Sequence, residues 1–450
     1  MTTPDSALNA AVPPAAQPAT PPVDAAPPLV SPRMRRYALF LLFCAYTINY
    51  VDRQVITILQ DPIKAELGLT DTQLGLMTGL SFALFYAVLG VPIARLADRH
   101  SRTMIITISM TLWSAMTALC ATAGSFTTLL LYRIGVGVGE AGLTPPAHSL
   151  LSDYYEPEKR AAALSIYSSA GTVGMMIGLL AGGLINQYFG WRPAIWIVGL
   201  PGLLLALITW TTLKEPRRGQ YDDPALEIAA ASRDGLWDGL ATLARNPAFV
   251  CLMLGCGFHT FVNYGIGNWT APFLGRIHGL SSAQIGIWLA VLAVGPGLIG
   301  MIGTGYIADW LSRTRPHARL EVAAAAMILS IPFQTGALLA TDATGALLIL
   351  SGSFVTAGAY LGPCIAAAHA LVPPSLRASA SAMIMLGVNL IGLGLGPLAV
   401  GLLSDLWAGA GDNALRYAML AIVPGEIVAF LFIAATIARA KRLKATADHI

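Results

Sequence analysis

The chain has 450 residues, of which 55% are hydrophobic and 11% are charged, and its formal net charge is +3. Soluble domains carry about 25% charged residues, so this composition excludes an ordinary soluble protein. Apolar runs of roughly 20 residues satisfy their backbone polar groups in lipid only as helices, which predicts an all-α, multi-pass membrane protein.

The chain begins with a Pro- and Ala-rich stretch, 1–32, which lacks a basic region and an apolar core, so we expect a disordered tail rather than a signal peptide. Twelve apolar runs follow, and each predicts a membrane-spanning helix. They lie near 36–60, 72–95, 103–123, 127–152, 160–189, 193–213, 247–275, 283–308, 318–340, 344–371, 376–406 and 415–438. The predicted organisation is two six-helix bundles, 33–213 and 247–440, joined by a connector, 214–246, and followed by a tail, 441–450.

The basic residues are distributed unequally over the predicted loops. Of the 27 Lys and Arg residues, 21 lie in the N-terminal tail, in the loops on the same side and at the C-terminus. Only Lys64, Arg192, Arg276 and Arg416 lie in the opposite loops. The positive-inside rule therefore predicts that both termini are cytoplasmic, in an inner or plasma membrane.

Two positions place charge where it is costly in a bilayer: Asp52 and Arg53 inside the first predicted span, and Arg133 and Glu140 inside the fourth. Such groups are costly in a bilayer and usually line an internal cavity. Arg133 and Glu140 share a helix face but are about 10.5 Å apart along the axis, too far for a direct pair. Each group therefore needs a partner on another helix, and crossed pairs such as Asp52 with Arg133 would satisfy all four.

The two predicted halves repeat each other. ARLADRHSR, starting at Ala94, matches GYIADWLSR, starting at Gly305, and each follows the second span of its half. Two parallel six-helix repeats with a cleft between them are typical of alternating-access transporters.

The loop that contains Asp98, Arg99 and Arg102 resembles the Gly-x-x-x-Asp-Arg-x-Gly-Arg-Arg signature of the major facilitator superfamily. Ala94, Ser101 and Thr103 depart from that signature. Three further segments resemble the spinster branch: NYVDRQVI, RIGVGVGEAGLTPPAHSLLSDYY and FGWRPAIWIVGLPGLLLAL. The resemblance implies a twelve-helix, two-bundle facilitator that works as a monomer and transports lysophospholipids or sphingosine phosphate, in some members coupled to protons.

Proton coupling is the functional interpretation of the buried charges. Burial favours the protonated carboxyl and a neighbouring Arg favours the ionised one, so an Arg that moves away would switch the carboxyl between these forms. We expect Asp52 and Glu140 to bind the proton, with Arg53 and Arg133 as counter-charges or anchors for a substrate headgroup. The alternative is a static ion-pair network that fixes the first bundle.

Asp98, Arg99 and Arg102 are candidates for a cytoplasmic gate, which would form when that side closes; otherwise they are only topogenic loop charges. The candidate cavity is lined by polar and aromatic residues for which plain packing is the alternative: Asn49, Phe82, Phe85, Tyr86, His259 and Asn263. The second bundle is mostly apolar beside the charged first bundle, and this contrast suits an amphiphile with a headgroup.

No phosphate-binding loop, HExxH or CxxC motif is present, so the sequence indicates no enzyme, no metal site and no cofactor besides the proton as coupling ion. The basic residues lie mainly in loops at one predicted face of the membrane, and this placement argues against nucleic-acid binding. The expected partners are a small amphiphile and the bilayer. A drug, sugar or organic-acid carrier is the rival within the class, and a receptor that binds without transport is the rival outside it.

Overall fold

The computed structural model describes residues 30–221, 236–315, 317–373 and 376–447. Most of the predicted disordered tail (1–29), the middle of the predicted connector (222–235) and the last three residues of the chain lie outside these ranges. All regular secondary structure in the described ranges is helical.

The helices of the first half are α1 Pro32–Ile58, α2 Gln60–Leu67, α3 Asp71–Arg99, α4 Arg102–Cys120, α5 Phe126–Glu140, α6 Thr144–Tyr154, α7 Pro157–Phe189 and α8 Trp191–Thr212. Helix α3 contains a π-helical turn at Leu76–Leu80. Helices α5 and α6 are the two parts of the predicted fourth span.

The helices of the second half are α9 Leu236–Arg245, α10 Pro247–His278, α11 Ser282–Ser312, α12 Ala318–Leu339, α13 Ala343–Ala357, α14 Leu361–Ala370, α15, α16 Asn413–Ile422 and α17 Gly425–Ala447. Helix α15 runs from Arg377–Gly387 through a π-helical segment, Val388–Leu395, to Gly396–Leu406. The pairs α13–α14 and α16–α17 each form one predicted span.

Ten helical segments in the described ranges are long and apolar enough to cross a membrane. The two other predicted spans are α1, which carries Asp52 and Arg53, and α5–α6, which is interrupted after Glu140. Charged and polar residues lower the hydropathy of α1, and the break after Glu140 divides α5–α6 into two short helices. With them, the predicted all-α fold of twelve helices in two halves is confirmed.

The helical assembly has two ends. The basic end is where α1 begins, α3 ends and α17 ends; the distal end holds α2 and the beginnings of α3, α5 and α11. Those three helices each begin with a capping box, formed by Thr70 with Gln73, Ser125 with Thr128, and Ser281 with Gln284. Each box satisfies otherwise unpaired backbone N–H groups, which fixes the first turns at the distal end.

Helix α7 packs closely on α1 of its own half and on α11 of the other half. A Cβ atom added at Gly174 would lie 2.6 Å from the Cβ of Tyr50, and one added at Gly286 would lie 3.2 Å from the Cα of Gly183. Only residues without a side chain allow backbones to approach so closely. The glycines therefore position α1, with its two charged residues, beside the junction of the halves.

Candidate functional site

A buried ion pair joins α1 to α5. The Nε of Arg53 donates to Oε2 of Glu140 over 2.6 Å. The Glu140 side chain is completely buried, whereas the Arg53 side chain is 21% exposed. The structure thus pairs Arg53 with Glu140, which is compatible with the crossed pairing of Asp52 with Arg133 that the sequence suggested. Because adjacent residues point about 100° apart on a helix, only one residue of the Asp52–Arg53 pair faces Glu140.

Asp52 and Arg133 lie beside this ion pair, and both are almost fully buried. Thr117 of α4 donates a 3.3 Å hydrogen bond to Oδ2 of Asp52. Asp52 is an electrostatic neighbour of both Glu140 and Arg133. Within the described residues, Oδ1 of Asp52, Nε of Arg133 and Oε1 of Glu140 have no hydrogen-bond partner. The cluster thus combines one direct ion pair with groups that retain bonding capacity.

Aromatic rings of α1 and α3 surround the two guanidinium groups. The central guanidinium carbon of Arg53 lies 4.9 Å from the ring centre of Phe82, 5.1 Å from that of Tyr86 and 5.3 Å from that of Tyr50. The guanidinium carbon of Arg133 lies 5.7 Å from the Phe82 ring. Phe82 therefore contacts both positive charges. Contacts of this kind stabilise a cation through the quadrupole of the aromatic ring.

The other predicted cavity residues of the first half are close to the cluster. Asn49 is 1% exposed and interacts with the Glu140 carboxylate. Phe85 and Tyr86 are half-buried on α3. From the other half, Tyr264 of α10 is 41% exposed and is an electrostatic neighbour of Tyr50, Arg53 and Tyr86. Arg53 therefore faces the gap between the two halves.

The second half contains a buried acidic residue that the sequence analysis missed. Oε2 of Glu426, in the first turn of α17, lies 2.7 Å from Nδ1 of His259, and both side chains are fully buried. The side-chain amide of Asn263 donates to Oε1 of Glu426 over 3.1 Å. His259 thus lies behind the surface that it was expected to line, because it bonds Glu426, whereas Asn263 is half-buried.

Arg102, one of the three predicted gate residues, is only 1% exposed and lies at the basic end. Its guanidinium forms an ion pair with Asp153 and donates to Oε1 of Glu215 over 2.7 Å. Asp153 belongs to the first half and Glu215 to the start of the connector, so in this conformation Arg102 fixes α4 to α6 and to that segment. Asp98 and Arg99 are exposed, and neither forms an ion pair with another described residue; their role as a gate stays a prediction.

Glu215 has an electrostatic environment of its own, outside the membrane-spanning helices. Burial raises the pKa of its carboxyl, but the hydrogen bond from the Thr103 backbone and the hydrogen bond and charge of Arg102 outweigh burial. The pKa of Glu215 is therefore lowered from its ordinary value.

Ion pairs connect the two halves at the distal end. Arg276, near the end of α10, bonds Oδ1 of Asp61 over 2.7 Å and Oδ2 of Asp71 over 2.8 Å. Asp71 also accepts a 2.7 Å hydrogen bond from Ser404 of α15. Two first-half carboxylates are thus bridged by side chains of the second half, an arrangement that hydropathy does not indicate.

The beginning of α3 forms a second distal connection. The backbone N–H groups of Asp71 and Thr72 donate to the Asp405 carboxylate over 3.1 and 2.7 Å. An anion at a helix N-terminus is favoured by the helix dipole. Eight residues before Arg276 on α10, the side chain of Asn268 accepts a hydrogen bond from Gln60 over 3.0 Å. The distal end is therefore closed by several polar contacts between the halves.

No group of three or more His, Cys, Asp or Glu side chains within the described ranges is arranged to hold a metal ion.

Comparison with known proteins gives the family. Residues 42–355 match the model of the Major Facilitator Superfamily. The chain is 33% identical over 393 residues to an MFS-type efflux pump of Mycolicibacterium smegmatis, covering 87% of this chain and 90% of the relative. It is 27% identical over 393 residues to protein spinster homolog 1 of Homo sapiens, covering 82% and 73%.

A crystal structure of a bacterial homologue of the human lysosomal transporter Spinster, in an inward-facing and unoccupied conformation, superposes with a TM-score of 0.81. The two chains are 33% identical, and the match covers 90% of this chain and 98% of that one. Together with the twelve helices, the family match shows a multi-pass membrane transporter. The chain belongs to the Major Facilitator Superfamily, in its spinster branch.

Proposed function

We propose that this protein transports an amphiphilic, lipid-like substrate of the lysophospholipid or sphingoid phosphate type by alternating access, coupled to protons. One observation carries the proposal: a buried carboxylate, Glu140, is held by a partly exposed arginine, Arg53, which faces the gap between the two halves.

The closed distal end supports the alternating-access part of the proposal. Arg276 and Asp405 join the halves there, whereas the ion pairs of Arg102 at the basic end do not reach the second half. With the basic end cytoplasmic, as the positive-inside rule favours, the closed distal end supports an inward-facing state. The outward-facing state then requires the distal contacts to break.

Competition for Arg53 supplies the coupling mechanism. An anionic headgroup that binds Arg53 takes it from Glu140 and leaves a buried carboxylate without its partner. A buried charge without a partner is costly, so Glu140 binds a proton instead. Substrate binding and protonation then favour each other, which links cargo to the proton gradient. Asp52, the residue before Arg53 on α1, shares this role because its carboxyl group is an electrostatic neighbour of Glu140.

The two walls of the gap differ in a way that suits an amphiphile. The first half presents Arg53 with the aromatic rings of Phe82 and Tyr86. The second half presents Tyr264 there, while its acidic residue, Glu426, is buried behind. A phosphate headgroup would pair with the arginine and an alkyl chain would pack on the aromatic and apolar side chains.

The test uses purified protein in liposomes with a radiolabelled lysophospholipid. We expect uptake to rise with an imposed pH gradient in the wild type, and Glu140→Gln and Asp52→Asn to retain counterflow but lose the response to the gradient. Glu158→Gln, at an exposed position near the beginning of α7, is the matched control. An unchanged response in both variants would remove proton coupling, and absent counterflow in the wild type would remove the lipid substrate.

A drug is the second candidate substrate. The efflux pump of Mycolicibacterium smegmatis is more similar to this chain than the human spinster homologue is, and the aromatic rings around Arg53 would also bind flat cationic compounds. Counterflow of ethidium without counterflow of lysophospholipid would favour this candidate. Saturable binding of either compound without counterflow would instead indicate a receptor.

A further inference from the structure

We propose that His259 and Glu426 form a second proton-binding site, buried in the second half of the transporter. The two side chains share one short contact, 2.7 Å between Nδ1 and Oε2, and neither is exposed. The proposal concerns proton binding by this pair and does not depend on the identity of the substrate.

The hydrogen-bond donors around Glu426 show where the proton lies. Oε1 faces two amide donors, Asn263 Nδ2 at 3.1 Å and Gln334 Nε2 at 3.4 Å. Because amide N–H groups only donate, Oε1 acts as an acceptor. The proton therefore lies on the other side of the carboxyl group, between Oε2 and Nδ1 of His259. With this proton and a second one on Nε2 of His259 the pair is neutral overall, and with one of the two protons missing the pair carries one buried negative charge.

The contrast with Glu140 explains why the proton is needed. Glu140 has an arginine partner at 2.6 Å, so its negative charge is balanced by a permanent cation. The described residues provide no Lys or Arg ion pair to Glu426, and its partner is His259, which carries a charge only when protonated. Since a buried anion without a counter-charge is strongly unfavourable, a bound proton takes the place of the arginine.

The remaining titratable groups around the pair are weak acids. The Tyr360 ring, between α13 and α14, lies 4.5 Å from the His259 ring in an edge contact. Tyr360 in turn is a neighbour of Tyr264 and Cys256 on α10 and of Cys364 on α14.

Helix α12 contributes the amide of Gln334, and α15 contributes Gly392, packed against Thr260. None of these groups supplies a permanent charge, so His259 and Glu426 balance each other.

Release of the proton requires some support for the Glu426 anion and a route to water. Glu426 lies in the first turn of α17, just after the break between α16 and α17, where the helix dipole favours a negative charge. Asn263, which bonds Glu426, is half-buried and is followed on α10 by Tyr264, which is 41% exposed. The pair thus lies one side-chain layer behind the surface that faces Arg53.

The experiment is pH-difference infrared spectroscopy of the purified full-length protein in detergent, between pH about 8 and about 5, the range in which histidine-linked groups titrate. We expect the wild type to show a C=O band of a protonated carboxyl group that is lost in Glu426→Gln. His259→Gln and Asn263→Ala keep the carboxyl group, and we expect each to shift the midpoint of the band by about one pH unit or more, roughly tenfold in proton affinity. Glu158→Gln is the control and should leave this band unchanged.

If Glu426→Gln does not fold, the shifts in His259→Gln and Asn263→Ala still test the site, because the carboxyl group remains. A band that survives in folded Glu426→Gln, or a midpoint that neither of the other two variants moves, would overturn the proposal and leave the pair a purely structural role. No substrate or gradient is used, so a negative result here is distinct from a failure of lipid transport in liposomes.

Discussion

At the scale of single residues, the choice of partner decides what each buried charge can do. Arg53 is bonded to Glu140, contacts three aromatic rings and remains one-fifth exposed. Because it is partly exposed, Arg53 is the member of the cluster that can exchange its partner for a ligand without a rearrangement of the surrounding helices. Asp52 and Arg133 are nearly fully buried and depend on rearrangements of the helices around them.

The first prediction concerns the Arg53–Glu140 ion pair. Arg53→Gln leaves the Glu140 carboxylate buried without its cation, so we expect a loss of about 3 kcal/mol in the free energy of unfolding. Arg53→Gln/Glu140→Gln removes both charges and should recover most of that loss. Thermal unfolding in detergent near neutral pH measures both. If the double variant is no more stable than Arg53→Gln alone, the two side chains are not coupled.

The second prediction concerns pH and Glu215. Its pKa is lower in the folded protein than its ordinary value near 4.5, so the ionised carboxyl stabilises the fold above that pH. This contribution declines as the pH falls below 4.5 toward the lowered folded pKa. We expect the unfolding temperature to fall less on acidification in Glu215→Gln than in the wild type. Glu158→Gln should behave as the wild type; equal acid sensitivity in all three would contradict the argument.

At the scale of helices, glycines set how closely the charged helices approach. A Cβ atom added at Gly139 would lie 2.6 Å from the backbone nitrogen of Trp113, and one at Gly137 would lie 3.1 Å from the Phe82 carbonyl oxygen. Helix α5 is therefore in close contact with α4 and α3 immediately before Glu140. This contact determines how far Glu140 extends toward α1.

The third prediction follows from that contact. Gly139→Ala introduces a methyl group against rigid backbone, so we expect a loss of about 1–3 kcal/mol in stability and a weaker response of transport to a pH gradient. Gly267→Ala is the matched control, because Gly267 is also helical and has nothing within 4 Å of an added Cβ. Thermal unfolding and liposome uptake measure the two effects. A Gly139→Ala protein as stable and as pH-responsive as Gly267→Ala would contradict this account.

Hydropathy predicts the helices because the bilayer imposes length and apolarity on each span, so twelve helices could be located from the sequence. The partner of Arg53 could not, because it depends on how α1 is rotated against α5. Glu426 was missed although it lies inside the predicted span 415–438, directly after Pro424 and Gly425. The sequence feature that could have pointed to Glu426 was the polar pair His259 and Asn263, which lie four residues apart on one helix face.

At the scale of the whole molecule, the two ends differ in the polar contacts that join the halves. The distal end is closed by Arg276 with Asp61 and Asp71, and by Asp405 at the beginning of α3. In the proposed alternating-access cycle, such contacts exist in only one of the two states. Each contact therefore contributes to the equilibrium between the states as well as to stability.

The fourth prediction uses this difference. Arg276→Gln removes the bridge between two first-half carboxylates, so we expect the population with an open distal end to increase. Hydrogen exchange should then become faster at the backbone amides of Asp71 and Thr72, which bond Asp405 only when the end is closed. If the free-energy preference for the closed state falls by about 1.4 kcal/mol, the open-to-closed ratio increases tenfold.

Arg192→Gln is the matched control for that experiment. Arg192 also lies at the distal end and pairs with Glu66 over 2.8 Å, but both residues belong to the first half. Its loss weakens a surface ion pair without changing what joins the halves, so the exchange of Asp71 and Thr72 should stay as in the wild type. If Arg192→Gln accelerates exchange as much as Arg276→Gln does, the effect is local loosening of the distal end. If neither variant changes exchange, Arg276 does not control opening, and the contacts of Asp405 and of Gln60 with Asn268 are sufficient to keep the halves together.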